Sequence, residues 1–194
     1  MKPQEYLSYF NLSGIPFAKE IATEDLLVLP SVERSLGAAR LLAETRGIGV
    51  MTGKSGVGKS CLLRKLIADL PPGLYKPVYV CHTSVGIMEF YTHLCVALGI
   101  EETARRAHMF RELKERIYTL NGSDHVHPLL IIDEAHYLPN EILTELRLLA
   151  NFEMDSGNAP TILLCRSQNL TRRFALSVLE SLANSVTITI SVAS

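Results

Sequence analysis

Residues Gly53 to Ser60 read Gly-Lys-Ser-Gly-Val-Gly-Lys-Ser, the G-x-x-x-x-G-K-[ST] spacing of a phosphate-binding loop. The flanking residues supply the context such a loop requires. Gly47-Ile48-Gly49-Val50-Met51-Thr52 is an apolar run that predicts an incoming strand. Cys61, Leu62, Leu63, Leu66, Ile67 and Leu70 recur at helical spacing and predict an outgoing helix. Glycines let a backbone wrap a phosphate and aim several N–H groups at it. The helix that begins near Lys59 adds the positive end of its dipole. The expected phosphate-contacting set is Gly53, Lys54, Ser55, Gly56, Val57, Gly58, Lys59, Ser60 and Cys61. Within it, Lys59 reaches the outer phosphates and the Ser60 hydroxyl ligates Mg²⁺.

Downstream, Leu129-Leu130-Ile131-Ile132-Asp133-Glu134 is a short apolar run that ends in two carboxylates. Such a run predicts a strand buried on both faces, as in a parallel sheet. Open α/β sheets bind ligands at the carboxyl ends of their strands. Asp133 is therefore expected beside the phosphate loop, holding Mg²⁺ directly or through water. Glu134 is expected to polarise the attacking water as general base. An Asp-Glu pair alone is commonly an ordinary solvated turn, and it gains meaning here from its pairing with the phosphate loop.

The composition sets bounds. The chain has 194 residues, enough for one α/β domain with a core. A hydrophobic content of 47% argues against disorder. Net charge is −1, so nucleic-acid binding cannot be read from a global basic field and would need a local patch or an oligomer. The four cysteines are scattered without a C-x-x-C pair, and three fall in apolar stretches, which predicts buried free thiols in a reducing compartment. No apolar stretch reaches membrane-spanning length and the N-terminus lacks a signal-peptide core. A cytoplasmic protein with no membrane span is expected.

Along the chain, residues 1–30 carry Tyr6, Tyr9, Phe10, Leu12, Ile15, Pro16 and Phe17, an aromatic density that predicts a segment packed on the domain formed by residues 31–194. Ser31 is expected to cap a helix running to Glu44. Val78 to Cys81 reads as a second strand. Met88, Tyr91, Leu94, Cys95 and Leu98 predict a helix closed by Gly99. A further helix over 101–120 buries Met109, Leu113 and Ile117. Its other face carries Arg105, Arg106, Arg111, Lys114 and Arg116, a DNA or partner contact or, the reading favoured here, a solvated face tempered by Glu112 and Glu115. After the acidic strand, Pro139 opens a helix with Ile142, Leu143, Leu146 and Leu149 on one face. Thr161 to Cys165 is a fourth strand, Leu170 to Ala183 a helix, and Val186 to Val192 a fifth strand with one face more exposed. This order predicts a doubly wound, five-stranded parallel sheet flanked by helices. One strand is expected between the phosphate-loop strand and the acidic strand.

The whole pattern resembles the AAA+ ATPases, and more narrowly the ExeA-like and TniB-like group of secretion and transposition ATPases. The resemblance rests on Tyr9 to Phe17 at the N-terminus, Arg46 to Gly53 leading into the phosphate loop, Asp133-Glu134-Ala135-His136-Tyr137-Leu138, and Leu148 to Asp155. It implies ATP and Mg²⁺ as ligands, ATP hydrolysis, a homo-oligomer, and either DNA and a transposase or a secretion-system component as partner. It also implies a polar sensor residue after the fourth strand, where this chain has Ser167 and Gln168 in place of the usual Gly-Gln. The group places a finger arginine just before the last strand, where this chain reads Asn184-Ser185-Val186. Arg172 and Arg173 are candidate substitutes, expected instead to be solvated on their helix. AAA+ chains continue after the fifth strand into a helical lid, and with Ser194 following that strand either the sequence is a fragment or the lid is absent. A nucleotide-gated binding module with negligible turnover is the alternative reading.

Six histidines show no spacing suited to structural zinc. His136 is expected to orient its neighbours rather than to ligate. The Asp-Glu-Ala-His string also matches a helicase box, but two motor domains do not fit in 194 residues.

Overall fold

The computed structural model describes residues 3–12, 15, 21–81, 85–101, 103–150, 159–166, 173–174 and 176–192. Among these, the chain forms α1 (Pro3–Tyr9), α2 (Pro30–Thr45), β1 (Ile48–Thr52), α3 (Lys59–Asp69), β2 (Tyr75–Val80), α4 (Ile87–Leu98), α5 (Arg106–Asn121), β3 (His127–Ile132), α6 (Asn140–Ala150), β4 (Thr161–Arg166), α7 (Glu180–Asn184) and β5 (Val186–Ser191). The strands make one parallel sheet in the order β2-β3-β4-β1-β5. As expected, β4 lies between β1 and β3.

Strand alternation sorts the core into two layers. Ile48, Val50, Val78, Val80, Leu130, Ile132, Ile162 and Leu164 face α4, α5, α6 and α7. Met51, Leu129, Ile131, Leu163, Cys165 and Ile190 face α2 and α3. β3 is buried along its whole length, because a central parallel strand has helices over both faces. Each fully buried Leu or Ile contributes roughly 1.5–3 kcal/mol. The edges differ: β5 alternates, its Thr187, Thr189 and Ser191 exposed, and β2 carries Pro77 in its interior, where an edge strand can spare the donor.

The structure corrects several expectations. α2 starts with Pro30 at its first position and Leu29 as its N-cap, and no side chain caps it. Ser31 is therefore inside the helix, since proline's fixed φ preorganises the first turn. α5 starts at Arg106 rather than 101. In place of one helix over 170–183, Leu176 is extended, a 3-10 turn spans Ser177–Leu179, and α7 follows; residues 170–172 and 175 lie outside the described residues. Cys95 and Cys165 are buried, but Cys61 and Cys81 are exposed, one on the outer side of α3's first turn and the other just past the edge strand β2. Within residues 1–30, Tyr6 and Tyr9 each pack a ring on Phe10, at 4.9 and 4.8 Å, while Tyr9 and Phe10 remain exposed. Nearer the domain, Arg64 of α3 donates to the Ile21 carbonyl at 2.5 Å.

Three of the five basic side chains on the α5 face lie beside acids of the same chain. Arg106 bridges to Glu141 at 2.8 Å and to Glu145, both on α6. Glu145 also accepts from the Tyr91 hydroxyl. Arg116 pairs with Asp124 at 3.1 Å, and Arg111 lies near Glu112 and Glu115. Opposite charges one turn apart or across a helix contact offset one another, so Arg106, Arg111 and Arg116 are balanced locally.

Candidate nucleotide site at the carboxyl edge of the sheet

β1 delivers the chain to Gly53 at the carboxyl edge of the sheet, and α3 begins again at Lys59. The loop between has steric requirements that its sequence meets. A Cβ on Gly53 would stand 2.8 Å from the Val192 carbonyl oxygen and 2.9 Å from Val57 Cγ2, closer than a carbon atom tolerates. Gly58, the N-cap of α3, is left-handed at φ 91, and Gly56 has φ 82. Side chains rarely adopt that conformation. Open space surrounds the Cβ positions of Gly56 and Gly58, so the mouth of the loop is clear. Lys59 Nζ donates to the carbonyls of Gly53 at 3.0 Å and Lys54 at 2.9 Å. The lysine is thereby kept over the loop that it is expected to serve.

Register places the acidic pair on the same edge. Ile132 pairs with Leu164, and Met51 pairs with Cys165, so Asp133 follows at the level of Cys165 and Met51. β3 and β1 are separated only by β4, about 10 Å at two strand spacings. The electrostatics agree. Burial pushes the Cys165 thiol up, Asp133 raises it further, Lys59 opposes, and Glu134 raises it again. One sulfur on β4 thus feels the loop lysine and both carboxylates.

Long-range contacts fix the acidic end. Asp133 Oδ2 accepts the Tyr79 hydroxyl at 2.6 Å, and Oδ1 accepts the Glu134 N–H at 2.9 Å. The Asp133 N–H donates to the Val80 carbonyl at 2.8 Å, extending the β2–β3 ladder by one bond. Burial and this carboxylate push the Tyr79 phenol up, keeping it a donor. Glu134 is left-handed at φ 49, a strained conformation for a side chain that is worth roughly 1–3 kcal/mol and concentrates at functional positions. Its carboxylate lies 3.2 Å from His136 Nδ1. The His136 ring in turn sits 4.0 Å from the Tyr137 ring. Arg173 closes the arrangement: it donates to the carbonyls of His136 and Leu138, both at 2.8 Å, and to Asn140 Oδ1. Arg173 is not solvated as expected; it is a clasp over the turn that follows Glu134. Ser185, at the position where a finger arginine was sought, donates to its own helix at the Ser181 carbonyl. Ser167, Gln168 and Arg172 lie outside the described residues.

Tyr79 was missed as a site residue, and Arg173 was considered only as a substitute finger arginine. Neither belongs to a motif, and each joins the site from far away in sequence. The only signal was position: Tyr79 near the end of a strand, Arg173 downstream of the fourth.

Another pocket, of about 230 Å³, opens at the opposite edge of the sheet between Glu44, Arg46, Tyr75, Asn121, His125 and His127. His127 there is buried and saturated, its nitrogens 2.7 Å from Asn121 Oδ1 and 2.8 Å from Thr161 Oγ1. Among the described residues, no His, Cys, Asp or Glu cluster suited to a metal appears. Among them, too, no helix is long and apolar enough to cross a membrane.

The AAA domain profile matches residues 41–174, from the end of α2 to the Arg173 clasp. The chain belongs to the AAA domain family. General secretion pathway protein A of Aeromonas hydrophila is 25% identical over 187 residues, covering 94% of this chain and 34% of that protein. ATP-dependent target DNA activator B of Escherichia phage Mu is 30% identical over 120 residues, covering 61% of this chain and 36% of that protein. These relatives agree with the secretion and transposition group that the sequence resembles. The chain spans about a third of the length of the curated relatives it matches. Among solved structures, Cdc6p from Pyrobaculum aerophilum superposes with a TM-score of 0.65 at 20% identity, covering 90% of this chain and 48% of that one. The Aeropyrum pernix ORC2 protein, solved in ADPNP–ADP complexes, gives 0.66 at 18% identity, covering 91% and 51%. Both share the fold of an AAA+ phosphate-loop NTPase.

AAA+ phosphate-loop proteins generally bind ATP with Mg²⁺. The residues present fit that pair. The loop's close-packed Gly53 and left-handed Gly58 leave its mouth free of side chains. The donor set of one hydroxyl and carboxylate oxygens is the hard-oxygen chemistry that Mg²⁺ takes.

Proposed function

We propose that this AAA domain binds ATP with Mg²⁺ and hydrolyses it. The placement of the phosphate loop and the Asp133-Glu134 pair on one edge of the sheet, two strand spacings apart with Cys165 between them, carries this reading. In it, backbone N–H groups of residues 53–61 and the Lys59 ammonium hold the phosphates. Ser60 and Asp133 hold the magnesium ion, which when bound neutralises charge on the phosphate oxygens. Glu134 accepts a proton from water, and its strained backbone and the His136 contact fix where that carboxylate points. Catalysis on this plan is positioning with charge stabilisation.

The relatives' names give the wider role its direction. We place the chain as an ATP-dependent regulator of DNA transposition, or else of secretion-apparatus assembly, with nucleotide state changing its contacts with copies of itself or a partner. The pairing of Arg106, Arg111 and Arg116 with acids of the chain weighs against α5 as a DNA contact. A second reading, a nucleotide-gated binding module with negligible turnover, is favoured by two observations: Arg173 is engaged within its own chain, and Ser185 stands where the resembled group places its finger arginine.

Turnover of the wild type beside Glu134→Gln tests the proposal. Loss of a general base costs roughly 10²–10⁴-fold, so the wild type should release phosphate at least about 100-fold faster than the variant, with ATP binding intact in both. Equal background rates with bound ATP would establish the module instead. Absence of ATP binding in the wild type would overturn both.

A further inference from the structure

Tyr79 is half exposed on the edge strand β2, 46% of its surface open, so apolar burial is not what its hydroxyl serves. That hydroxyl donates to Asp133 Oδ2 at 2.6 Å across 54 residues of sequence. The other carboxylate oxygen accepts the Glu134 N–H at 2.9 Å. Each oxygen of Asp133 thus has one donor, and an ionised carboxylate keeps further lone pairs for a cation. Two donors from two directions fix both the position and the rotation of the carboxylate plane. Strand register makes this possible, because Tyr79 pairs with Ile131 and Val80 with Ile132, which brings the phenol alongside the residue after β3. A half-exposed hydrogen bond between side chains adds little net stability. Groups that orient a metal ligand typically carry 10–100-fold in metal affinity.

We propose that Tyr79 is a positioning residue for magnesium: it holds the Asp133 carboxylate in the orientation that receives the cation, and so links the edge strand β2 to the nucleotide site. The proposal rests on the reading of Asp133 as a magnesium ligand.

The test uses the full chain and a fluorescent ATP analogue, with Mg²⁺ titrated at fixed nucleotide. If the wild type shows no Mg²⁺-dependent gain in nucleotide binding, the underlying reading fails and this proposal falls with it. With that gain present, Tyr79→Phe is expected to raise the half-maximal Mg²⁺ concentration roughly tenfold, while nucleotide affinity without Mg²⁺ stays within about twofold. Tyr79→Leu, which removes the ring as well, should match it, because the hydroxyl is the operative group. In an Asp133→Asn background, Tyr79→Phe should add nothing. A Tyr79→Phe midpoint unchanged from wild type overturns the proposal. So does a shift seen with Tyr79→Leu alone, which would assign the effect to ring packing, or a further shift in the Asp133→Asn background.

Discussion

The phosphate loop and the acidic end of β3 share one edge of the sheet, yet they are assembled in opposite ways. The loop is contiguous. Its shape follows from glycines at 53, 56 and 58, and its lysine hydrogen-bonds to carbonyls only five and six residues away. The acidic end is two carboxylates whose geometry is borrowed: Tyr79 from β2 holds Asp133, and Arg173 from beyond β4 holds the turn after Glu134. A local device survives changes elsewhere in the chain. A borrowed one answers to whatever moves its distant supports. For an ATPase whose nucleotide state is to be felt by a partner, the borrowed half is the place where coupling can enter.

The largest effect that this contrast predicts falls on the local half. Lys59→Ala should weaken ATP binding at least about 100-fold, near 3 kcal/mol, because on the proposed reading it removes the ammonium that reaches the outer phosphates. The fold should persist, since Lys59 belongs to no core cluster and, among the described residues, its ammonium bonds to loop carbonyls. Calorimetric titration with ATP and a thermal melt check both statements. Affinity retained in that variant would mean that the loop is not the phosphate site.

The same contrast explains what sequence could and could not show. The parallel sheet, the strand between β1 and β3, and the loop with its helix were legible because each follows from a short apolar period, the alternation of strands with helices or a fixed spacing. Asp133 and Glu134 were legible as residues but not as geometry. Tyr79 looked like one more aromatic in a strand; its role comes from register with Ile131, which no local pattern states. Arg173 read as a solvated helix residue because a continuous helix was expected there, and Leu176 in extended conformation breaks that expectation. Ser31 was misjudged because cap residues attract the reading, while Pro30 ahead of it sets the first turn. The general expectation of buried thiols fails at Cys61 and Cys81 because apolar neighbours do not show which side of α3, or which end of β2, a residue occupies.

A second prediction concerns the strands that carry the borrowed half. His127, at the start of β3, is tied to Thr161 on β4 and is buried. Desolvation, with the Arg46 charge adding, lowers its pKa from 6.5 to about 4. The folded protein therefore holds this imidazole neutral where the unfolded chain already binds a proton. Its contribution is complete above about pH 6.5 and is lost as pH falls toward 4. The loss amounts to roughly 3 kcal/mol. Denaturant unfolding at pH 7, 5.5 and 4 should show it, and His127→Gln should flatten the dependence in that window. An equally steep profile in the variant would assign the acid sensitivity to the carboxylates instead.

The sharpest separation of the two halves comes from Arg173→Ala, the smallest effect of the three. The substitution removes donors from the carbonyls of His136 and Leu138 and from Asn140 Oδ1. Charge-assisted bonds of this kind are each worth roughly 1.5–3 kcal/mol, and part of that returns through water, so a net cost of about 2 kcal/mol is expected. The consequence for function should be selective. ATP affinity, set by the contiguous loop, should stay within about twofold of wild type, while turnover falls roughly tenfold as the turn holding Glu134 loosens. Arg173→Lys should recover little, because one ammonium cannot span acceptors that the planar guanidinium fork reaches together. Binding and turnover measured side by side decide the matter. Equal losses in both would mean that the clasp supports the whole edge of the sheet and that the two halves are not independent; an unchanged turnover would mean that Glu134 is held by its own backbone and His136 without help from beyond β4.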